Sequence, residues 1–284
     1  MLKVGSLFSG AGLCDLGLSW AGLQHQFFCE IDPYCRSILA RHWPGTPIYN
    51  DIACLHGADI PQVDVLCGGF PCQDVSAAGG RAGIKTGTRS GLWYEYRRII
   101  QEIRPKYAVI ENVRGLLSLG IETVLQDLAG IGYDAEWEVL SAAACGAPHH
   151  RERVFVVAYP HGSRPDGECR LLSPLSGILG NMHQPHGLSD WLGIRFDRKD
   201  RASACMAYRG AVLYRVDDGA SGGLDKPFWR DRALPAGVGR ITKDGARALI
   251  PALKALGNGI VPHQAYAVAA CILIAEGLPV PSRP

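Results

Sequence analysis

The chain has 284 residues, room for one large α/β domain with a small appendage, and 47% of them are hydrophobic, as in an ordinary globular protein. No apolar run approaches the roughly 20 residues of a membrane helix, and no internal repeat marks a solenoid or array. The net charge is only +2, but it is uneven: residues 1–160 carry 13 Lys and Arg against 16 Asp and Glu, whereas residues 161–247 carry 14 against 10, an excess suited to a polyanion.

In chain order, residues 2–8 (LKVGSLF) read as a buried strand running into the turn Ser9-Gly10-Ala11-Gly12. Leu13, Leu16, Trp20 and Leu23 then recur at helical spacing. A strand at Gln26–Ile31 and a helix from Pro33 to His42 follow, with proline in the first turn. Residues 64–68 (DVLCG) form the next strand, and a glycine-rich loop extends to Gly91. The helix after it carries Leu92, Trp93, Tyr96, Ile99, Ile100 and Ile103 on one face. A strand at 107–111, a helix at 122–131 and strands at 136–141 and 154–159 complete an alternation that predicts a mostly parallel sheet with helices on both faces.

Regularity is lost from 161 to 247 and returns in an apolar helix at Val261–Glu276, expected to be buried against the main domain. Three regions are therefore expected: 1–160 as the main α/β domain, 161–247 as an irregular excursion, and 248–284 packing back on the first. The N-terminal apolar run is interrupted by glycines and Asp15, so it is read as retained rather than as a leader. The ten cysteines include no CxxC pair, and the chain is long enough to need no disulfide staples. Reduced thiols and a cytoplasmic location are expected. Cys169, His183, His186 and Cys205 are spaced too irregularly to predict a zinc site, and no metal is expected.

Glycines between a strand and a helix let backbone approach a ligand at the carboxyl edge of a sheet. Here Asp15 stands where a dinucleotide fingerprint has its third glycine, so the turn alone fits tight packing equally well. Glu30, about 20 residues on, sits where an acid accepts hydrogen bonds from ribose hydroxyls. Asp51, near the next strand position, could take an adenine amino group. Together they suggest an adenosine-containing cofactor. The segment Gly68-Gly69-Phe70-Pro71-Cys72-Gln73 places a thiol at a strand mouth. A thiol with a pKa of about 8.5 needs activation before it is a nucleophile.

With these motifs in this order, the chain resembles the DNA (cytosine-5)-methyltransferase family. GGFPCQDVS is similar to the family's nucleophile motif and LFSGAG to its cofactor motif. Glu111-Asn112-Val113 is similar to its Glu-Asn-Val motif, and Arg151-Glu152-Arg153 to its Gln-x-Arg-x-Arg motif. Ala255-Leu256-Gly257-Asn258 with Val261-Pro262 resembles its C-terminal cofactor motif. The likeness covers roughly residues 1–160 and 250–276. Two departures stand out: His149 replaces the usual Gln, and the motif before residue 250 has no clear counterpart, with Arg240 and Arg247 as the available substitutes.

The resemblance implies a Rossmann-like S-adenosylmethionine-dependent methyltransferase fold with a small target-recognition region at 161–247. It implies transfer of a methyl group to C5 of a flipped cytosine in duplex DNA, with Cys72 as nucleophile and Glu111, Arg151 and Arg153 on the base. Phe8, Ser9, Gly10, Gly12, Leu13, Glu30, Ile31, Asp51, Ile52, Pro71, Leu92, Asn258 and Gly259 are the implied cofactor residues. Gln73, Ser76, Arg81, Lys85 and Arg89 in the loop, and Arg195, Arg198 and Arg201 in the recognition region, are candidate DNA contacts. A monomer is expected, with a restriction endonuclease as a possible cognate partner. The rival readings are an RNA cytosine-5 methyltransferase of the same fold and a DNA-binding protein without activity.

Overall fold

The computed structural model describes residues 1–71, 91–147, 150–163, 170–180, 255 and 259–282. Seven strands form one sheet: β1 (Lys3–Leu7), β2 (Gln24–Cys29), β3 (Ile48–Tyr49), β4 (Val65–Gly68), β5 (Tyr107–Val113), β6 (Tyr133–Ser141) and β7 (Glu152–Pro160). Their order is β3-β2-β1-β4-β5-β7-β6. The chain leaves β1 outward through β2 and β3, then returns to β4 on the other side of β1. That reversal opens a crevice at the carboxyl ends of β1 and β4, where such sheets bind ligands.

The first five strands are parallel, but β7 runs antiparallel between β5 and β6. The sheet is thus mostly parallel, with an antiparallel margin that strand–helix alternation did not disclose. The reason lies in the connections. Parallel neighbours need a long crossover, whereas the described part of the β6–β7 link holds only a short 3₁₀ turn, Ala143–Cys145.

The helices are α1 (Leu13–Trp20), α2 (Pro33–His42), α3 (Leu92–Ile103), α4 (Leu116–Leu119), α5 (Ile121–Gly130), α6 (Leu175–Gly180) and α7 (Pro262–Ala275). Local sequence explains the sharper ends. The Asp32 side chain accepts hydrogen bonds from the Tyr34 and Cys35 amides, Pro33 occupies the first turn of α2, and Arg41 and His42 lie in its last. In α3, Trp93, Tyr96, Ile99, Ile100 and Ile103 are buried on one face, as the spacing predicts. The Tyr96 hydroxyl lies 3.1 Å and 3.0 Å from the carbonyls of Leu66 and Val109, so the helix is keyed to both β4 and β5.

Two apolar cores lie on opposite faces of the sheet. One gathers α1 and α7 against Val4, Val65 and Val109, with Leu171, Leu172 and Leu175 joining it. Residues 170–180 of the segment read as irregular therefore form ordered structure against this core. The backbone amides of Leu171 and Leu172 also donate to the Glu136 carboxylate. The other core gathers α3 and α5 around Leu66, Ile110 and Val156. Among the described residues no helix is long and apolar enough to cross a membrane.

The α1–α7 contact is unusually close. A Cβ placed on Gly17 would stand 2.0 Å from the Pro262 carbonyl oxygen and 2.9 Å from the Ala265 Cβ. Gly17→Ala should therefore cost about 1–3 kcal/mol, the usual penalty for overpacking a filled site. Urea unfolding measures it, and a midpoint and slope equal to the parent's would contradict this packing.

Candidate active site

The crevice holds a cavity of about 870 Å³ lined by residues from the ends of β1, β2, β4 and β5, and from the C-terminal segment. Of the predicted cofactor residues, Phe8, Ser9, Gly10, Leu13, Glu30, Ile31, Asp51, Ile52, Pro71, Leu92 and Gly259 all line it. Gly12 does not. Its left-handed backbone (φ 76°) starts α1, and a Cβ there would meet the Trp43 ring at 2.6 Å, so the turn has no room for a side chain at this position. Asn258 lies outside the described residues, as do Cys72, Gln73, Ser76, Arg81, Lys85, Arg89, His149, Arg195, Arg198 and Arg201. The same holds for Arg240, Arg247 and the four residues weighed for zinc, Cys169, His183, His186 and Cys205.

The first half of the cavity is built by the glycine turn. Phe8 carries a left-handed backbone (φ 53°), a conformation that costs a non-glycine residue on the order of 1–3 kcal/mol and is held only where surroundings enforce it. It sets a phenyl ring at the cavity wall. A Cβ on Gly10 would meet nothing within 4 Å, so the turn leaves open space beside its backbone.

Glu30 closes this half. One carboxylate oxygen accepts from the Gly10 amide at 2.6 Å and the other from the Asp32 amide at 2.8 Å. Burial pushes its pKa above the usual carboxylate value, while those amides pull it back. Each oxygen retains acceptor capacity for a further hydroxyl. Ile31 is 69% exposed at the mouth, an apolar surface fit to cover a flat ring. Asp51 lines the wall but also caps the 3₁₀ turn after it, accepting from the Ala53 amide at 3.0 Å. At the far side, a Cβ on Gly259 would stand 2.3 Å from Leu13 Cδ1, so the C-terminal segment closes tightly on the start of α1.

These features fit an adenosyl cofactor: an acid for the ribose, apolar walls for a ring, and a turn with room for a chain. The fit rests on the donor and acceptor set and on the open space at Gly10.

The second half is built by β4, β5 and β7. Arg153 pairs in register with Val113, so its side chain shares a face with Glu111 two residues back. Its Nε lies 2.8 Å from Glu111 Oε1, and the two side chains are 11% and 16% exposed. Burial raises the Glu111 pKa; Arg153 and Arg151 oppose that rise. Asn112 points to the other face of β5 and donates to the Phe70 carbonyl at 3.1 Å, which ties the segment leading to Pro71 against this strand. Gly69 makes room: a Cβ there would lie 2.4 Å from Glu111 Oε2. Neither Gly69 nor the Asn112 amide was singled out as a site residue from sequence. The signal for Asn112 was its place in the Glu-Asn-Val motif, but its partner is 42 residues away.

Residues 2–185 match the family model described as C-5 cytosine-specific DNA methylase. The chain belongs to that family. It is 37% identical over 165 residues to the type II methyltransferase M2.BsuMI of Bacillus subtilis, covering 55% of this chain and 42% of the relative. It is 38% identical over 159 residues to the type II methyltransferase M.Eco47II of Escherichia coli, covering 54% of this chain and 38% of the relative. The chain thus spans under half the length of these curated relatives. The solved structure of S. pombe Dnmt2 methyltransferase aligns with a TM-score of 0.52 at 20% identity, over 69% of this chain and 61% of that one. That match supports the Rossmann-like methyltransferase fold.

The ion pair makes a prediction about Glu111. Arg153→Met removes the nearest positive charge while leaving the carboxyl enclosed, so Glu111 should protonate at a higher pH than in the parent protein. Carbon-13 NMR of labelled glutamate follows it. An unchanged or lowered titration would mean that Arg153 does not control this carboxyl.

Proposed function

We propose that the protein transfers a methyl group from S-adenosylmethionine to C5 of a cytosine flipped out of duplex DNA. The observation that carries this reading is the Glu111–Arg153 pair, 2.8 Å apart, sharing one cavity with Glu30 and the glycine turn. A carboxyl and guanidinium for a base edge stand beside a cleft suited to an adenosyl group. The family membership and the naming of relatives as type II methyltransferases support it.

Cytosine C5 is too weak a nucleophile to attack a methyl donor unaided. A thiolate adding at C6 turns C5 into an enamine carbon, and Cys72, directly after the cavity residue Pro71, is the proposed donor of that thiolate. The cofactor supplies an electrophilic methyl group. Glu111 is proposed to hold the N3 edge of the ring and give it a proton, so that negative charge does not accumulate as the thiolate adds. A carboxyl whose pKa is raised by burial suits that task, because more of it is protonated near neutral pH. Arg153, with Arg151, is proposed to draw the base carbonyl into place. Loss of the C5 proton to a base and elimination of the thiolate restore the ring's 5,6 double bond and free Cys72, while the N3 proton returns to Glu111.

A base inside a duplex cannot reach such a cleft, so flipping at a cost of a few kcal/mol is part of the proposal. Arg81, Lys85 and Arg89, and the basic segment 161–247, are proposed to grip the phosphates. The separate recognition region belongs to the same reading, as does pairing with a restriction endonuclease.

The test is incubation with methyl-labelled cofactor and either duplex DNA or transfer RNA, with Cys72→Ala alongside. Label should enter the DNA as 5-methylcytosine and be lost with the variant. Label in RNA alone would move the protein to the RNA-modifying class, and no label in either would favour a DNA-binding protein without activity.

A further inference from the structure

In α7 the residues from Pro262 to Leu273 are all buried, and among them lies Gln264, with no solvent exposure. A buried primary amide is costly unless its donors and acceptor are matched. Here they are. Oε1 accepts from the Val261 amide at 3.2 Å. Nε2 donates to the Leu140 carbonyl at 2.7 Å and to the Arg151 carbonyl at 3.3 Å, across 124 and 113 residues of sequence.

The two carbonyls are not arbitrary ones. Leu140 is the register partner of Arg153 across β6 and β7. The Arg151 carbonyl also accepts from the Ala142 amide at 3.1 Å, closing the end of that ladder. Gln264 therefore clamps both strands at the point where Arg151 and Arg153 emerge toward Glu111. Val261, its third partner, follows Gly259 and Ile260, which line the cavity. One amide joins the segment on the cofactor side to the arginines on the base side.

We infer that Gln264 is a positioning residue that sets Arg151 and Arg153 opposite Glu111, and with them the pocket for the base. The inference rests on the proposed reading of the cleft. Gln264 touches neither ligand in this account; it acts through the backbone of Arg151 and the partner of Arg153. An ordinary packing role would need only its volume.

Gln264→Met separates the two roles, because it keeps length, helix preference and bulk but loses both donors. Two readouts apply to the folded variant: the single-turnover methyl-transfer rate at saturating DNA and cofactor, and the Glu111 titration by carbon-13 NMR. The rate should fall on the order of tenfold or more, as slight misplacement of a catalytic group does, with the cofactor dissociation constant unchanged. The Glu111 carboxyl should titrate at higher pH, as with Arg153→Met. Gln264→Leu, which likewise lacks the donors and brings no charge into the core, is read the same way and stands in if the methionine variant does not fold. A parental rate with a parental Glu111 titration overturns the inference, as does weakened cofactor binding at an unchanged rate. Should the unmodified protein methylate no DNA, the function reading fails on its own, and the Glu111 titration still decides the role of Gln264.

Discussion

A parallel strand cannot be joined to its neighbour by a tight turn, so each connection must cross the sheet and return. The loops that follow β1, β2, β4 and β5 are therefore delivered to one edge. The reversal of strand order between β1 and β4 holds that edge open. The proposed chemistry depends on that constraint. Phe8 and Gly10 follow β1, Glu30 follows β2, Pro71 follows β4, and Glu111 lies near the end of β5. Residues distant in sequence meet because the topology allows their loops no other place.

The antiparallel strand β7 adds what a purely parallel edge could not. It enters the sheet from the opposite direction, so its beginning, with Arg151 and Arg153, lies beside the end of β5. An ion pair so little exposed gains little net stability, because both charges lose water. Under the proposed function its worth is preorganisation: a carboxyl and a guanidinium already aimed at one point need no rearrangement when charge develops there. Gly69 and Asn112 serve the same end, one by leaving room for the Glu111 carboxylate and the other by holding Phe70.

Much of this was legible in the chain. The strand–glycine turn–helix opening, the helix after Asp32 and the apolar face of α3 follow from local patterns, and the structure contains each within a few residues. The family motifs brought the acid and the arginines into view together. What was not legible depended on long-range pairing. The antiparallel insertion of β7 leaves no local mark, since a strand reads the same in either direction. Gly12 is marked in the sequence only as a turn glycine, and only the fold reveals that the space at its Cβ is taken by Trp43, 31 positions on. Gln264 was one of the few polar residues in an apolar helix, and only the fold reveals the two carbonyls that it bridges.

The proposed function has this edge carry out covalent chemistry on cytosine. The most direct measurement uses duplex DNA with 5-fluorocytosine at a target site in the presence of S-adenosylmethionine. Fluorine cannot leave C5 as a proton does, so elimination stops and the enzyme stays attached. A stable protein–DNA complex should form, its cross-link should map by mass spectrometry to the peptide containing Cys72, and Cys72→Ala should not form it. Methylation of the unsubstituted DNA without any trapped complex, or a cross-link at another residue, would contradict the account.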